Sequence, residues 1–223
     1  MMVKPWLIVM IIAMLLVAGC DSGPSQEYAV NEPLVNESFD QPDAWENYIS
    51  SQYNVNMYVG DGVYHVFTGE NSYAWTLNDQ THTDVVIEVD TLQTSSFEDN
   101  GYGVMCRADS TNNGDGYYFL ISGDGFFTIR RGEGESVTSI IDWKSSGAIN
   151  KGQAHNTIRA VCIDDYLALY VNNKFLGEAH DSTYRSGNAG IAAIVAPDAQ
   201  TSIDFDNFKI WRAVLGSAPI ALT

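Results

Sequence analysis

This chain is short of positive charge. Its 223 residues carry 11 Lys and Arg against 28 Asp and Glu, a formal net charge of −17. Nucleic-acid binding needs clustered cations to displace phosphate counterions, so no nucleic acid is expected among its partners. The same imbalance keeps a domain soluble and disfavours close electrostatic docking onto anionic lipid. Other features are missing too. After residue 20 no segment sustains a helical apolar period, and no internal repeat is visible. There is no Gly-x-Ser-x-Gly elbow and no Gly-rich phosphate loop leading into a helix. The four histidines, His65, His82, His155 and His180, share no metal-ligand spacing. Hydrolase and nucleotide chemistries of those kinds have no residues to carry them.

What is present begins at the N-terminus. Lys4 precedes an unbroken apolar run of 13 residues, Trp6 to Ala18. That is too short for the roughly 20 residues a helix needs to cross the hydrocarbon core. A cation, a short apolar stretch and small residues before a cut site form the signal-peptide pattern. Val17-Ala18-Gly19-Cys20 resembles a bacterial lipobox, which implies cleavage after residue 19 and acylation of the Cys20 thiol. The expectation is an exported protein, lipid-anchored on the outer face of the bacterial cell membrane. Residues 20–32 are rich in Ser, Gly, Pro and acids and predict a flexible tether. Residues 33–213 would form the folded domain, and 214–223 a loose tail.

With Cys20 committed to lipid, Cys106 and Cys162 remain as an even pair in an oxidising compartment. Strand alternation sets Cys106 alongside Val104 and opposite Arg107, and Cys162 alongside Ile158 and opposite Arg159. A disulfide is expected in preference to two separate buried thiols.

About thirteen short runs rich in Val, Ile, Tyr, Phe and Thr are separated by Gly, Asn and Asp clusters. Gly60-Asp61-Gly62, Gly123-Asp124-Gly125, Asp164-Asp165 and Asn172-Asn173 suit tight hairpins. Leu167, Leu169 and Val171 alternate with Tyr166, Ala168 and Tyr170, predicting one buried and one wetted face. The fold class expected is all-β, a two-sheet antiparallel β-sandwich.

The order of these elements resembles the concanavalin A-like lectin/glucanase jelly roll, of the laminin-G type. The residues carrying it are Glu37-Ser38-Phe39-Asp40 with Trp45, Asp84 to Asp90, Asn100 to Val104, Tyr117 to Ile121, Asn156 to Ala160 with Leu167 to Asn172, and Phe205-Asp206-Asn207-Phe208. Within that superfamily the chain is most similar to bacterial lipoproteins and to modules related to 3-keto-disaccharide hydrolases. The resemblance implies a jelly roll, and it is compatible with lectins, hydrolases and spacers alike.

Glucanases of this fold carry a Glu-x-Asp-x-x-Glu strand. Glu88-Val89-Asp90 matches its first part, but the last position is Gln93, and an amide cannot serve as general acid. No catalytic residues are therefore assigned. Asp109, Asn113 and Asp115 lie in a polar loop with superficial likeness to a calcium loop, a possible structural calcium site, although Leu120 stands where a bidentate Glu belongs. Trp143, Tyr117, Tyr118, Phe126 and Arg130, around the Gly123–Gly125 turn, are the candidates for stacking and hydrogen-bonding a sugar. Trp45, Trp75 and Trp211 are expected in the core. The expected function is a non-catalytic binding module for extracellular polysaccharide. The alternatives are a glycoside hydrolase or lyase with unrecognised acids, and an accessory lipoprotein contacting another envelope protein.

Overall fold

The structure, a computed structural model, describes residues 23–69, 72–111, 113–196 and 199–216. The expected signal peptide, Cys20 and residues 217–223 of the expected tail lie outside them. The described residues form fifteen strands and no helix. In chain order these are β1 (Tyr28–Glu37), β2 (Tyr48–Ser50), β3 (Val55–Gly60), β4 (Val63–Gly69), β5 (Tyr73–His82), β6 (Val85–Gln93), β7 (Asn100–Ala108), β8 (Gly116–Ile121), β9 (Phe126–Glu133), β10 (Ser136–Ser145), β11 (His155–Ile163), β12 (Tyr166–Val171), β13 (Lys174–His180), β14 (Gly187–Val195) and β15 (Gln200–Leu215).

They pair into two antiparallel sheets. The nine-stranded sheet runs β13-β12-β11-β6-β15-β4-β3-β2, with β1 also on β15, and the six-stranded sheet runs β10-β9-β8-β7-β14-β5. Alternation explains how they face each other. Val85, Ile87 and Val89 of β6 and Leu167, Leu169 and Val171 of β12 point inward, meeting Val104, Phe119, Ile121 and Ile191 of the other sheet. The expected two-sheet sandwich is what forms. At one lateral edge β10 packs over β13, and toward the other β5 packs over β4.

Turn chemistry follows the residue types. Asn172 and Asn173 both adopt positive φ, 51° and 62°, as a two-residue hairpin requires. Asp61 and Gly62 do the same between β3 and β4, at 52° and 77°.

Two boundaries move. β1 begins at Tyr28, inside the expected tether, and β15 reaches Leu215, inside the expected tail. Tyr28 stands opposite Leu215, and the Gly216 N–H donates to the Glu27 carbonyl at 3.0 Å. Neither end carries a periodic pattern of its own. Each satisfies the other's backbone groups, which is what makes both into strands. The expected wetted faces are also partly covered. Tyr166 and Ala168 join Val86, Val161 and Ile163 in a second apolar cluster, outside the nine-stranded sheet, with Tyr28 and Val30 of β1. Trp45 packs against the inter-sheet core as expected, whereas Trp211 packs on this outer cluster and Trp75 on the outer face of the six-stranded sheet.

Cys106 on β7 and Cys162 on β11 form a disulfide that links the two sheets through the core. Closing a loop of 56 residues restricts the unfolded chain by about 4 kcal/mol on the chain-entropy model. Replacing both cysteines by Ala should lower unfolding free energy by up to about that amount in urea titration. An unchanged midpoint would show that the bridge contributes nothing.

Candidate functional site

Exposed aromatic side chains gather at the β2–β3 and β5 edge. Tyr48 comes from β2, Tyr53 from the turn after it and Tyr73 from β5, with the half-buried Trp75 two residues on in β5. They line, with Glu46 and Thr76, a pocket of about 420 Å³. Its floor is formed by Val55, Met57 and Ala74, which belong to the buried core. Among the described residues, seven large hydrophobic side chains are exposed, and Tyr48, Ile49, Tyr53 and Tyr73 are four of them. Such a concentration on one edge is not what scattered surface residues produce.

The wall behind the pocket is rigid. The Trp45 indole N–H donates to Thr76 Oγ1 at 2.7 Å, and the Tyr64 hydroxyl donates to the Glu46 carbonyl at 2.6 Å. Phe39, Trp45, Tyr64 and Phe208 pack edge-on or tilted, with centroids 5.1–6.2 Å apart. Burial pushes the Tyr64 hydroxyl up to about 12, so it remains a neutral donor at physiological pH. The pocket thus combines planar apolar faces with a few polar groups on fixed supports.

A second concavity, about 490 Å³, opens on the outer face of the nine-stranded sheet. Asp90, Asp204 and Asp206 line it with Thr157, His155 and Asn172. Asp90 and Asp206 are direct cross-strand partners, so their Cβ atoms stand about 5 Å apart. Asp90 accepts from the Thr157 hydroxyl at 2.6 Å and the Asn207 amide at 3.2 Å. Asp204 holds His65 Nδ1 at 2.7 Å, and Tyr58 stacks on that imidazole. Partial burial, then the charges of Asp90 and Asp40, raise the Asp206 carboxyl above its ordinary range.

A carboxylate raised on folding favours the folded state below its ordinary pKa, and that stability is lost as pH rises through the raised value. Asp206→Asn should therefore raise Tm at pH 7 by roughly 1–2 °C, since the group is half-exposed and screened. The gain should vanish below about pH 4. A gain independent of pH would rule out charge repulsion as its cause.

The glucanase-like pattern does not converge on this groove. β6 keeps regular register with β11, so Glu88 and Asp90 face outward while Gln93 faces the core. Glu88 is engaged by Arg159 at 2.6 Å. Gln93 is fully buried, donating to the Ser95 and Phe97 carbonyls and accepting from Asn100.

The residues proposed for sugar contact are divided by the fold. Trp143 and Phe126 do meet, with Asp99 and Asp124, around a shallow depression of about 220 Å³. Tyr117 is buried between the sheets, its hydroxyl donating to Asp181 at 2.6 Å, so it cannot reach a ligand. Burial and then the Asp181 carboxylate push that hydroxyl up to about 12. Tyr118 points to the outer face of the six-stranded sheet but is covered too, its hydroxyl donating to the Gly114 carbonyl at 2.6 Å. Arg130 stands opposite Tyr118 across β8 and β9, away from Trp143. Both faces of β8 are covered, and this removes its tyrosines from the surface.

The loop holding Asp109, Asn113 and Asp115 spends its polar groups on itself. Asp109 accepts from the Thr111 N–H and hydroxyl, both at 2.7 Å, which holds its carboxyl below the ordinary range. Asp115 accepts from the Gly134 N–H at 2.7 Å and from the Asn113 amide. Among the described residues no three His, Cys, Asp or Glu side chains are grouped to hold a metal ion.

The aromatic pocket escaped sequence reading because its parts come from separate segments. Tyr48 opens the short β2 and Tyr53 follows it in the turn, and β2 has no periodic pattern of its own. The available signal was the density of tyrosine in residues 48–73.

Two antiparallel sheets packed as a sandwich give this chain a jelly-roll fold of the concanavalin A-like kind. Solved structures agree on this fold. A carbohydrate-binding module, CBM66, from Bacillus subtilis matches with TM-score 0.55 and 16% identity, over 76% of this chain and 99% of that one. A protein of unknown function with a galectin-like fold, also from Bacillus subtilis, matches with TM-score 0.63 and 12% identity, over 84% and 99%. A β-glucanase from Bacillus licheniformis matches with TM-score 0.57 and 10% identity, over 82% and 98%. No protein-family model and no curated protein matches the sequence.

Proposed function

We propose that this chain is a lipid-anchored, surface-exposed binding module whose ligand is an extracellular carbohydrate, held in the aromatic pocket. The observation that carries the reading is the gathering of Tyr48, Tyr53, Tyr73 and Trp75 around one concavity with Glu46 at its rim. Sugar rings present flat C–H faces that lie against aromatic planes, and hydroxyls that need a few fixed polar partners. The pocket has room for one or two pyranose rings. The likeness of the fold to a carbohydrate-binding module and to a glucanase agrees with that ligand class. A glycan-array screen of the soluble domain tests it: saturable binding to one glycan family is the expected result. Silence from folded protein would favour a protein partner on the same edge, where Ile49 is 76% exposed.

A second reading has one observation in its favour. Asp90 and Asp206 are direct cross-strand neighbours on the same face of β6 and β15, as a pair of glycosidase carboxylates would be, and Asp206 is the carboxyl displaced toward protonation. Release of new reducing ends by wild-type protein and not by Asp206→Asn would replace binding with hydrolysis.

A further inference from the structure

We propose that the membrane anchor turns the β10–β13 edge of the sandwich toward the lipid surface and presents the aromatic pocket on the far side. This rests on the reading of Cys20 as the acylated residue. The chain enters the described structure at Gly23, which lines a groove together with Ile141 and Lys144 of β10 and Lys174 and Glu178 of β13. The next residues are pinned there. The Ser25 N–H donates to Glu178 at 2.9 Å, the Tyr166 hydroxyl donates to the same carboxylate at 2.8 Å, and Tyr28 is buried against Tyr170.

Three residue steps separate Cys20 from Gly23, a span of at most about 11 Å. The pocket lies at the opposite edge, where β2, β3 and β5 end the two sheets. From β13 to β2 is seven strand spacings, roughly 33 Å. Three residues cannot carry the anchor around the molecule to that side.

Charge points the same way. Residues 5–106 contain no Lys or Arg at all, so the strands that build the pocket edge carry acidic groups without cations. Lys144 and Lys174 stand exposed beside the entry groove. Asp142 and Glu178 line the same groove and balance the two lysines, so anionic headgroups repel this edge less than the cation-free one. The anchor and the charge distribution select one orientation, leaving the pocket open to ligands outside the cell.

With Cys20 acylated and Cys106 paired to Cys162, an introduced cysteine is the single free thiol, so a fluorophore can be placed on either edge. Ser145→Cys reports on β10, and Ser51→Cys on the turn after β2; both positions are exposed. The acylated full-length protein is reconstituted into vesicles of phosphatidylcholine and phosphatidylglycerol bearing nitroxide-labelled headgroups. Quenching at Ser145→Cys should exceed that at Ser51→Cys several-fold. Equal quenching, or more at Ser51→Cys, overturns the orientation while leaving the anchor intact. Labelled fatty acid that fails to enter wild-type protein, or enters Cys20→Ser equally, overturns the anchor and the orientation with it.

Discussion

Replacing Tyr53 and Tyr73 together by Ala should weaken glycan binding about a hundredfold, whereas Trp143→Ala should leave it within about twofold. The magnitude follows from what aromatic anchors in concave sites contribute, about 1–2 kcal/mol each when truncated. Tyr53 and Tyr73 are 57% and 42% exposed, so their loss should cost the fold no more than about 0.5 kcal/mol. A loss of binding can then be read as a loss of the site. Trp143 is the natural control, being exposed and aromatic but set over a shallow depression beside Phe126. Isothermal titration with the best glycan of the array supplies the numbers. The opposite ranking would move the site to the Trp143 depression and sink the pocket assignment.

The largest effect on stability is expected at Arg107. Its guanidinium is wholly buried, donating to the carbonyls of Thr83, Asp164 and Tyr184 at 3.0, 2.6 and 3.1 Å, and to Asp84 at 3.2 Å. One side chain thereby ties the β5–β6 turn, the β11–β12 turn and the β13–β14 connection to the end of β7. Burial lowers its pKa and the Asp84 carboxylate works against that; the arginine stays charged at any working pH. Arg107→Ala leaves three buried carbonyls without their donor, at a cost of about 3–5 kcal/mol, while Asp84, 40% exposed, keeps the Asp164 N–H. For a domain of this size that is a fall in Tm of about 10 °C. Arg107→Lys should recover little, because an ammonium cannot fork to four acceptors. Arg212→Ala, which removes only an exposed pair with Glu32 at 3.4 Å, should shift Tm by no more than about 2 °C. Scanning calorimetry of the three variants decides the matter, and equal Tm values for Arg107→Ala and Arg212→Ala would falsify the assigned role.

Much of the frame was legible because it depends on short-range pattern. Alternation in β6 and β12 told which residues face the core, and Asn172-Asn173 announced a hairpin whose positive φ values are now seen. The contexts of Cys106 and Cys162 pointed to a common side, and they pair. The binding residues named around the Gly123–Gly125 turn fared worse. Alternation places Tyr117 and Tyr118 on opposite faces of β8 but says nothing about whether either face meets water, and here neither does.

The sequence by itself determined the sandwich, its turns, its sheet-to-sheet disulfide and a strongly negative net charge. These follow from side-chain period, backbone preference and summed charge, all properties of neighbouring residues. Tertiary structure alone decided which aromatics reach solvent together, that residues 28–32 belong to the domain, and that Arg107 stitches three connections. Each of those depends on which strand ends at an edge and what lies across it, a matter of contacts between segments tens of residues apart.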